Sequence, residues 1–333
     1  MEFYVLIQFH KFPNRSVYMN SFLFRRLSVL VLAILFISSS LPLVANAQQI
    51  QTSASIQKKL AELDASSGGR LGISAINTAN NARIQYHAEE RFPLCSTSKV
   101  MAAAAILKES EKNQSLLQKQ ITYGKKDVEK SGYAPITQQH LSHGMSVNEL
   151  CQAAIEYSDN AAMNLLMKTL GGPDAVTTYA RSIDDHTFQL DQWEPELNTA
   201  PNDNRDTTTP NAMANSLKQL TLGGVLTPPQ REQLKTWLKN NTTGNARIRA
   251  GVPKNWIVGD KTGTSDYGTS NDIAIIWPPN CAPIILAIYF TQDKKDAALR
   301  EDVIASATRL VINEFAKTDH CIKSNLTNNN GVM

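Results

Sequence analysis

Apolar positions recur along the chain with two periods, and the change of period divides it. In residues 53–63, Ile56, Leu60 and Leu63 share one side of a helix that Gly68-Gly69 closes. Residues 70–77 (RLGISAIN) and 82–88 (ARIQYHA) read as a strand pair turned at Ala79-Asn80-Asn81. Residues 100–107 are an Ala-rich apolar run ending in Lys108-Glu109, the pattern of a helix buried on all sides. Ser146-Val147-Asn148-Glu149 is a capping box that opens a helix towards Tyr157. Residues 160–170 and 173–183 are helical, split by Gly171-Gly172, and helices follow over 209–220 and over 227–240, the latter with Pro228 at its start. The stretch 189–206 keeps neither period for most of its length, and a loop that long in a compact domain is usually functional. Then β-rich segments return at 256–264, 272–277 and 283–291, before a terminal helix over 296–316.

Strands therefore flank a helical middle. The arrangement this predicts is α/β in the α+β sense: one antiparallel sheet from both chain ends with flanking helices, and an inserted all-helical subdomain. The sheet part takes residues 48–92 and 241–316, the helical part 93–240, and the active site the crevice between them. The polar, Asn-rich residues 317–333 are expected to be disordered.

Composition adds a leader. Of 333 residues 42% are hydrophobic, which supports a large core. Arg25-Arg26 precede an apolar run at 27–37, three serines and Ala45-Asn46-Ala47, the pattern of a secretory signal cleaved after Ala47. Met19 opens a complete signal of its own. No cysteine stands near the cleavage site for a lipid anchor, and the apolar run is short for a membrane span. Export to a periplasm or the medium, with no stable membrane association after cleavage, is expected. Cleavage removes four of 33 basic and one of 30 acidic residues, leaving 29 of each. With no basic stripe, nucleic-acid binding is disfavoured. The six histidines form no metal-ligand cluster, and no metal or other cofactor is implied. Cys95, Cys151, Cys281 and Cys321 are widely scattered, and even parity does not prove pairing.

Candidate chemistry begins at Ser96-Thr97-Ser98-Lys99, at the start of the Ala-rich helix. Lys99 lies three residues from Ser96, so its amine shares a helix face with the hydroxyl and could take its proton. By itself Ser-x-x-Lys arises about once by chance in a chain of this length. Ser55-Ile-Gln-Lys58 is such a copy, and the ordinary role of Ser96 would be a helix N-cap. Ser158-Asp159-Asn160 stands between two helices, where an N-cap is again the common role. Trp193-Glu194-Pro195-Glu196-Leu197-Asn198 lies in the long loop, and a lone loop glutamate is usually solvated. Lys261-Thr262-Gly263 follows an apolar strand, where a lysine is usually an edge charge and a glycine can mark a bulge.

Together, in this order, the motifs resemble those of the class A serine β-lactamases, within the wider serine β-lactamase/DD-peptidase-like fold. The likeness runs from about Ser53 to Phe315. Stretches such as Arg205-Asp206-Thr207-Thr208-Thr209-Pro210 and Gly259-Asp260-Lys261-Thr262-Gly263 look most like the cefotaximase-type branch. The resemblance implies a monomeric hydrolase of small-molecule β-lactams with Ser96 as nucleophile. Lys99, or Glu194 through a water, would be the acylation base; both remain open. Ser158 would protonate the leaving nitrogen, and Lys261 would supply positive charge beside it. Thr262, Gly263 and Thr264 would line the substrate, with Thr264 and Ser96 offering oxyanion N–H groups. Asn160 would hold the acylamino side chain, Tyr133 would wall the cleft, and Glu194 with Asn198 would activate the hydrolytic water.

The chain also departs from the family. Ala103 and Ser265 stand where some relatives carry cysteines that pair with those at the positions of Cys151 and Cys95, so both thiols are expected to stay out of disulfides. Gln192 replaces an arginine that many relatives pair with the aspartate at Asp206, and the loop is one residue shorter than in cefotaximase-type enzymes. Arg247 and Thr264 match positions that serine carbapenemases use around the substrate carboxylate; a surface charge is the alternative for Arg247. A penicillin-binding peptidase, a β-lactam sensor and a catalytically dead binding protein are the competing functions. The first two generally lack a Glu-x-x-x-Asn loop.

Overall fold

The structure, a computed structural model, describes residues 42–197 and 203–329. Most of the expected leader, residues 1–41, lies outside the described residues. The first helix starts earlier than residue 53: α1 is Pro42–Ser67. Ala45, Ala47, Gln48 and Gln49 favour the extra turns, and a proline at the first helical position has no amide to satisfy. Among the described residues, those up to Gln51 belong to an amino-terminal unit and those from Thr52 onward to the main one.

In the main unit, β1 (Arg70–Asn77) and β2 (Arg83–Tyr86) form the expected hairpin, and β3 (Phe92–Pro93) leads into α2 (Ser98–Ser110). β4 (Gln120–Ile121), α3 (Lys125–Ser131), β5 (Met145–Ser146), α4 (Val147–Glu156), α5 (Asn160–Leu170) and α6 (Pro173–Ser182) complete the first helical stretch. β6 (Thr207–Thr208), α7 (Pro210–Leu222) and α8 (Pro228–Lys239) follow the long loop. The chain then runs through β7 (Ile257–Ser265), β8 (Thr269–Trp277), β9 (Ile284–Thr291), α9 (Glu301–Phe315) and α10 (His320–Asn329).

The long strands form one sheet in the order β2-β1-β9-β8-β7, every neighbour antiparallel. It is built from both chain ends, as the α+β reading requires. Its alternation is hidden in the sequence because both faces are covered. Along β9, Ile284, Leu286, Ile288 and Phe290 pack with Ile56 and Leu60 of α1 and Val303 and Val311 of α9. The intervening Ile285, Ala287 and Tyr289 face Met213 and Leu217 of α7 and the helical part. Strands buried on both sides read as continuous apolar runs.

Helix α2 is the axis of the helical part, with eleven of its thirteen residues buried. Helices α4, α5 and α6 pack against it. The capping box is present: the Ser146 N–H and hydroxyl donate to Glu149 at 2.7 and 2.8 Å and hold that carboxyl below its ordinary value. The two-residue pair β3–β6 joins the approach to Ser96 to the end of the long loop.

The tail is not disordered throughout, since α10 occupies His320–Asn329. A disulfide joins Cys321 to Cys281 across a separation of 40 residues, Ile322 is buried against the sheet-and-α9 core, and Asp319 accepts the Cys321 and Ile322 N–H groups. A polar segment with few apolar residues is held here by a covalent bond and one buried isoleucine. Cys95 and Cys151 are buried thiols outside any disulfide, as expected. Among the described residues no helix is long and apolar enough to cross a membrane.

Candidate active site

Ser96 sits in a single 3-10 turn, Cys95–Thr97, that runs into α2. Hydroxyls tie this turn: Thr97 Oγ1 donates to the Leu94 carbonyl (2.6 Å) and Ser98 Oγ to that of Cys95 (2.9 Å). Cys95 adopts φ +45°, a left-handed conformation that tilts the turn. Lys99, on the first turn of α2, is fully buried. Its Nζ lies 2.6 Å from Ser96 Oγ, 2.7 Å from Asn160 Oδ1 and 2.8 Å from Glu194 Oε1. The amine thus hydrogen-bonds Ser96 and Asn160 and stands at ion-pair distance from Glu194. The serine–lysine spacing read from sequence is a direct contact, and Glu194 stands on the other side of the same amine.

Each partner is positioned by a separate element. Asp159 caps α5 by accepting the Ala162 N–H (2.8 Å) and also takes the N–H groups of Ile136 and Thr137, both at 2.9 Å. This docks the start of α5 against the segment carrying Tyr133, whose carbonyl accepts the Asn160 N–H at 2.8 Å. Ser158, at φ +59°, turns its hydroxyl to Lys261 Nζ, 3.0 Å away. Lys261 is fully buried on β7; burial pushes its amine well below the ordinary lysine value, and the charge of Lys99 adds to this. Glu194 is fixed through its main chain, because Asn164 accepts its N–H and donates to its carbonyl, both at 2.9 Å. Asn164 was not singled out from sequence, although it lies four residues from Asn160 on the same helix face.

Arg247 is 3% exposed, which excludes the surface-charge reading. Its Nη1 donates to the carbonyls of Gly263 and Asn271, both at 2.7 Å, its Nη2 to Thr264 Oγ1 (2.8 Å), and its Nε pairs with Glu301 (3.0 Å). Thr262 Oγ1 lies 2.6 Å from Thr243 Oγ1, a second residue the motifs did not reveal. At the loop's ends, Asp206 Oδ1 accepts the main-chain N–H groups of Asp191 (2.8 Å) and Gln192 (3.0 Å). The main chain of Gln192 thus meets Asp206, and burial raises the carboxyl of Asp206.

Ser96, Tyr133, Ser158, Asn160, Glu194, Arg247, Thr262 and Thr264 line one cleft of about 640 Å³ together with Thr243 and Ser265. Tyr133 is 56% exposed at its mouth. Gly263 is the close approach of β7 to the Ser96 turn: a Cβ there would lie 3.0 Å from the Leu94 carbonyl oxygen. Asn198 lies outside the described residues. Among the described residues no three His, Cys, Asp or Glu side chains stand together to hold a metal ion.

A serine hydroxyl on a buried amine, a second serine–lysine pair and a carboxylate facing the first amine can support acyl transfer with proton shuttling at both oxygen and nitrogen. The fold and this cleft are those of serine acyl-transfer hydrolases with a sheet-and-helix crevice. Residues 55–315 match the β-lactamase enzyme family, and the chain belongs to it. It is 54% identical over 285 residues to β-lactamase CTX-M-97 of Escherichia coli, covering 85% of this chain and 97% of that one. A β-lactamase of Proteus vulgaris is 57% identical over 268 residues, covering 80% and 98%. Among solved structures, a variant of the reconstructed last common ancestor of Gram-negative class A β-lactamases superposes with a TM-score of 0.77 at 52% identity, covering 80% and 100%. The β-lactamase of Desulfarculus baarsii superposes at 0.76 with 49% identity, covering 78% and 96%.

Proposed function

We propose that this β-lactamase opens the lactam amide of penicillins and cephalosporins through an acyl-enzyme on Ser96. The observation that carries this reading is the contact of Lys99 Nζ with Ser96 Oγ and Glu194 Oε1 at once. Ser96 Oγ attacks the lactam carbonyl and its proton leaves to Lys99, or to Glu194 through a water. The oxyanion is stabilised by the main-chain N–H groups of Ser96 and Thr264; one such donor is worth about 3 kcal/mol of barrier. Ser158 gives its proton to the departing nitrogen and takes one back through Lys261, whose Nζ donates to it at 3.0 Å, so that the proton lost by Ser96 ends on the leaving amine. Water then attacks the ester while Glu194 takes its proton, Ser96 recovers its hydrogen, and the ring-opened acid leaves. Lys261, Thr262, Thr264 and Arg247 recognise the substrate carboxylate, Asn160 the acylamino group, and Tyr133 walls the entrance. Asn198 is assigned to the water beside Glu194.

Resistance to β-lactams follows if the enzyme is exported. The Cys281–Cys321 disulfide supports an oxidising compartment, in keeping with a signal over residues 1–47; the catalytic domain, which we take to start at residue 48 and to be monomeric, extends past 316 to include α10. A peptidase or sensor would acylate and stay acylated, and the carboxylate 2.8 Å from Lys99 favours turnover. The test is hydrolysis of a chromogenic cephalosporin by the purified mature chain. Many turnovers per molecule are expected, and a single stoichiometric burst without further colour would refute the hydrolase reading.

A further inference from the structure

Asn271 belongs to none of the sequence motifs, yet three parts of the cleft meet on it. It lies on β8 opposite Gly263 and is fully buried. Its Nδ2 donates to the Pro93 carbonyl at 2.7 Å and, at longer range, to that of Leu94 at 3.4 Å, the two residues before the Cys95–Thr97 turn. Its Oδ1 accepts the Phe290 N–H of β9 at 3.3 Å. Donors and acceptors on both sides therefore fix which way the amide points. Its main-chain carbonyl accepts Arg247 Nη1 at 2.7 Å, the same nitrogen that donates to Gly263. Gly263 seals the seam from the β7 side, since a Cβ there would lie 3.1 Å from Cys95 Cβ and 3.2 Å from Asn271 Nδ2.

We propose that Asn271 is a positioning residue for the oxyanion site, setting the separation between the main-chain N–H groups of Ser96 and Thr264. The inference rests on the hydrolase reading above. The Ser96 turn belongs to the helical part and Thr264 to the sheet, so no covalent path shorter than 160 residues relates them. The Asn271 amide bridges that seam, with its side chain on the turn and its main chain in register with β7. Oxyanion donors act only when held within a few tenths of an ångström of the charge that develops. A small drift of the turn therefore weakens the transition state while leaving the groups that bind the ground state in place. Replacing the amide by a carboxylate sets an acceptor against two carbonyl oxygens and pushes the turn away from β7.

The test compares wild type with Asn271→Ala, Asn271→Ser and Asn271→Asp, each corrected for active-site concentration. Rapid mixing with a chromogenic cephalosporin gives the acylation rate and the initial binding constant. Inhibition by an aryl boronic acid, which forms a tetrahedral adduct on Ser96, reports the oxyanion site directly. In Asn271→Ala acylation should fall by about 10–100-fold, boronate affinity by a similar factor, and initial substrate binding little. Asn271→Asp should be worse, and Asn271→Ser, which keeps a shorter donor, intermediate. A merely structural residue would lower the yield of active sites but not their rate or boronate affinity. Values within about threefold of wild type per active site in the variants that fold, or slower acylation with unchanged boronate affinity, would overturn the proposal. Wild-type acylation is measured first and by itself. Its absence overturns the hydrolase reading and this inference with it, whereas a wild type that acylates beside unaffected variants overturns the inference alone.

Discussion

Glu194→Gln separates the two halves of the reaction. The residue is anchored by its main chain to Asn164, with both hydrogen bonds at 2.9 Å, so the substitution leaves the loop's attachment intact. It changes the carboxylate 2.8 Å from Lys99 to an uncharged amide of the same shape. Lys99 keeps Ser96 Oγ and Asn160 Oδ1 at 2.6 and 2.7 Å, so the fold should hold. What disappears is a group able to take a proton from water. A general base is worth about 10²–10⁴-fold, or about 2.7–5.4 kcal/mol of barrier, and deacylation should slow by that factor. Acylation retains the amine beside Ser96 and should continue. Mixing the variant with a penicillin should then build a long-lived adduct carrying the whole mass of the substrate, one per chain and on Ser96, readable by intact-protein mass spectrometry and peptide mapping. Steady-state turnover within about threefold of wild type would remove Glu194 from deacylation. Slow turnover without an adduct would show that Lys99 does not suffice for acylation, and the division of labour argued here would be wrong.

Asp272 is fully buried, and burial together with the charge of Asp260 raises its carboxyl well above the ordinary value, opposed by Arg247 and Lys261. Its stabilising contribution is complete below the unfolded value of about 3.9 and is lost as pH rises through the folded one, because the folded chain keeps a proton that the unfolded chain has released. Asp272→Asn cannot ionise, so its melting temperature relative to wild type should increase from about pH 4 to about pH 7; a difference independent of pH would mean that Asp272 titrates normally in the fold. Opening the Cys281–Cys321 bridge with Cys321→Ser frees a 40-residue loop in the unfolded chain and should cost about 4 kcal/mol on a loop-entropy basis. Because neither cysteine lines the cleft, kcat/KM should not change; an unchanged melting curve would mean the bridge adds nothing. Gln192→Arg would place a planar cation beside the buried Asp206, whose carboxyl now takes two main-chain N–H groups. Pinning the loop's two ends should raise the melting temperature and, by making the loop give way less to bulky side chains, lower kcat/KM for bulky oxyimino-cephalosporins relative to simple penicillins; equal effects on both substrates would refute this.

The chain by itself determined its longer elements and its candidate reactive groups, because both are encoded within a few residues. The serine–lysine contact is one helical turn long, the Ser146–Glu149 capping box spans four residues, and the motif around Ser158 is a cap with its neighbours. Which strands pair was not local in this sense: β1 lies beside β9, more than 200 residues later, and the apolar runs of β8 and β9 conceal their two faces because both are buried. The same limit hid Asn164, Thr243 and Asn271, residue types common on any surface that gain a role only from the carbonyls, amides or hydroxyls packing brings to them. Arg247 shows the reason most plainly. Its sequence neighbourhood fits a surface charge or a substrate contact equally well. The fold buries it because Gly263, Asn271, Thr264 and Glu301, from three separate elements, supply acceptors for its guanidinium, and an arginine leaves water only where such acceptors meet. The tail obeys the same rule: its composition is that of a solvated segment, and only a cysteine 40 residues away, brought close by the β8–β9 turn, gives it a place in the fold.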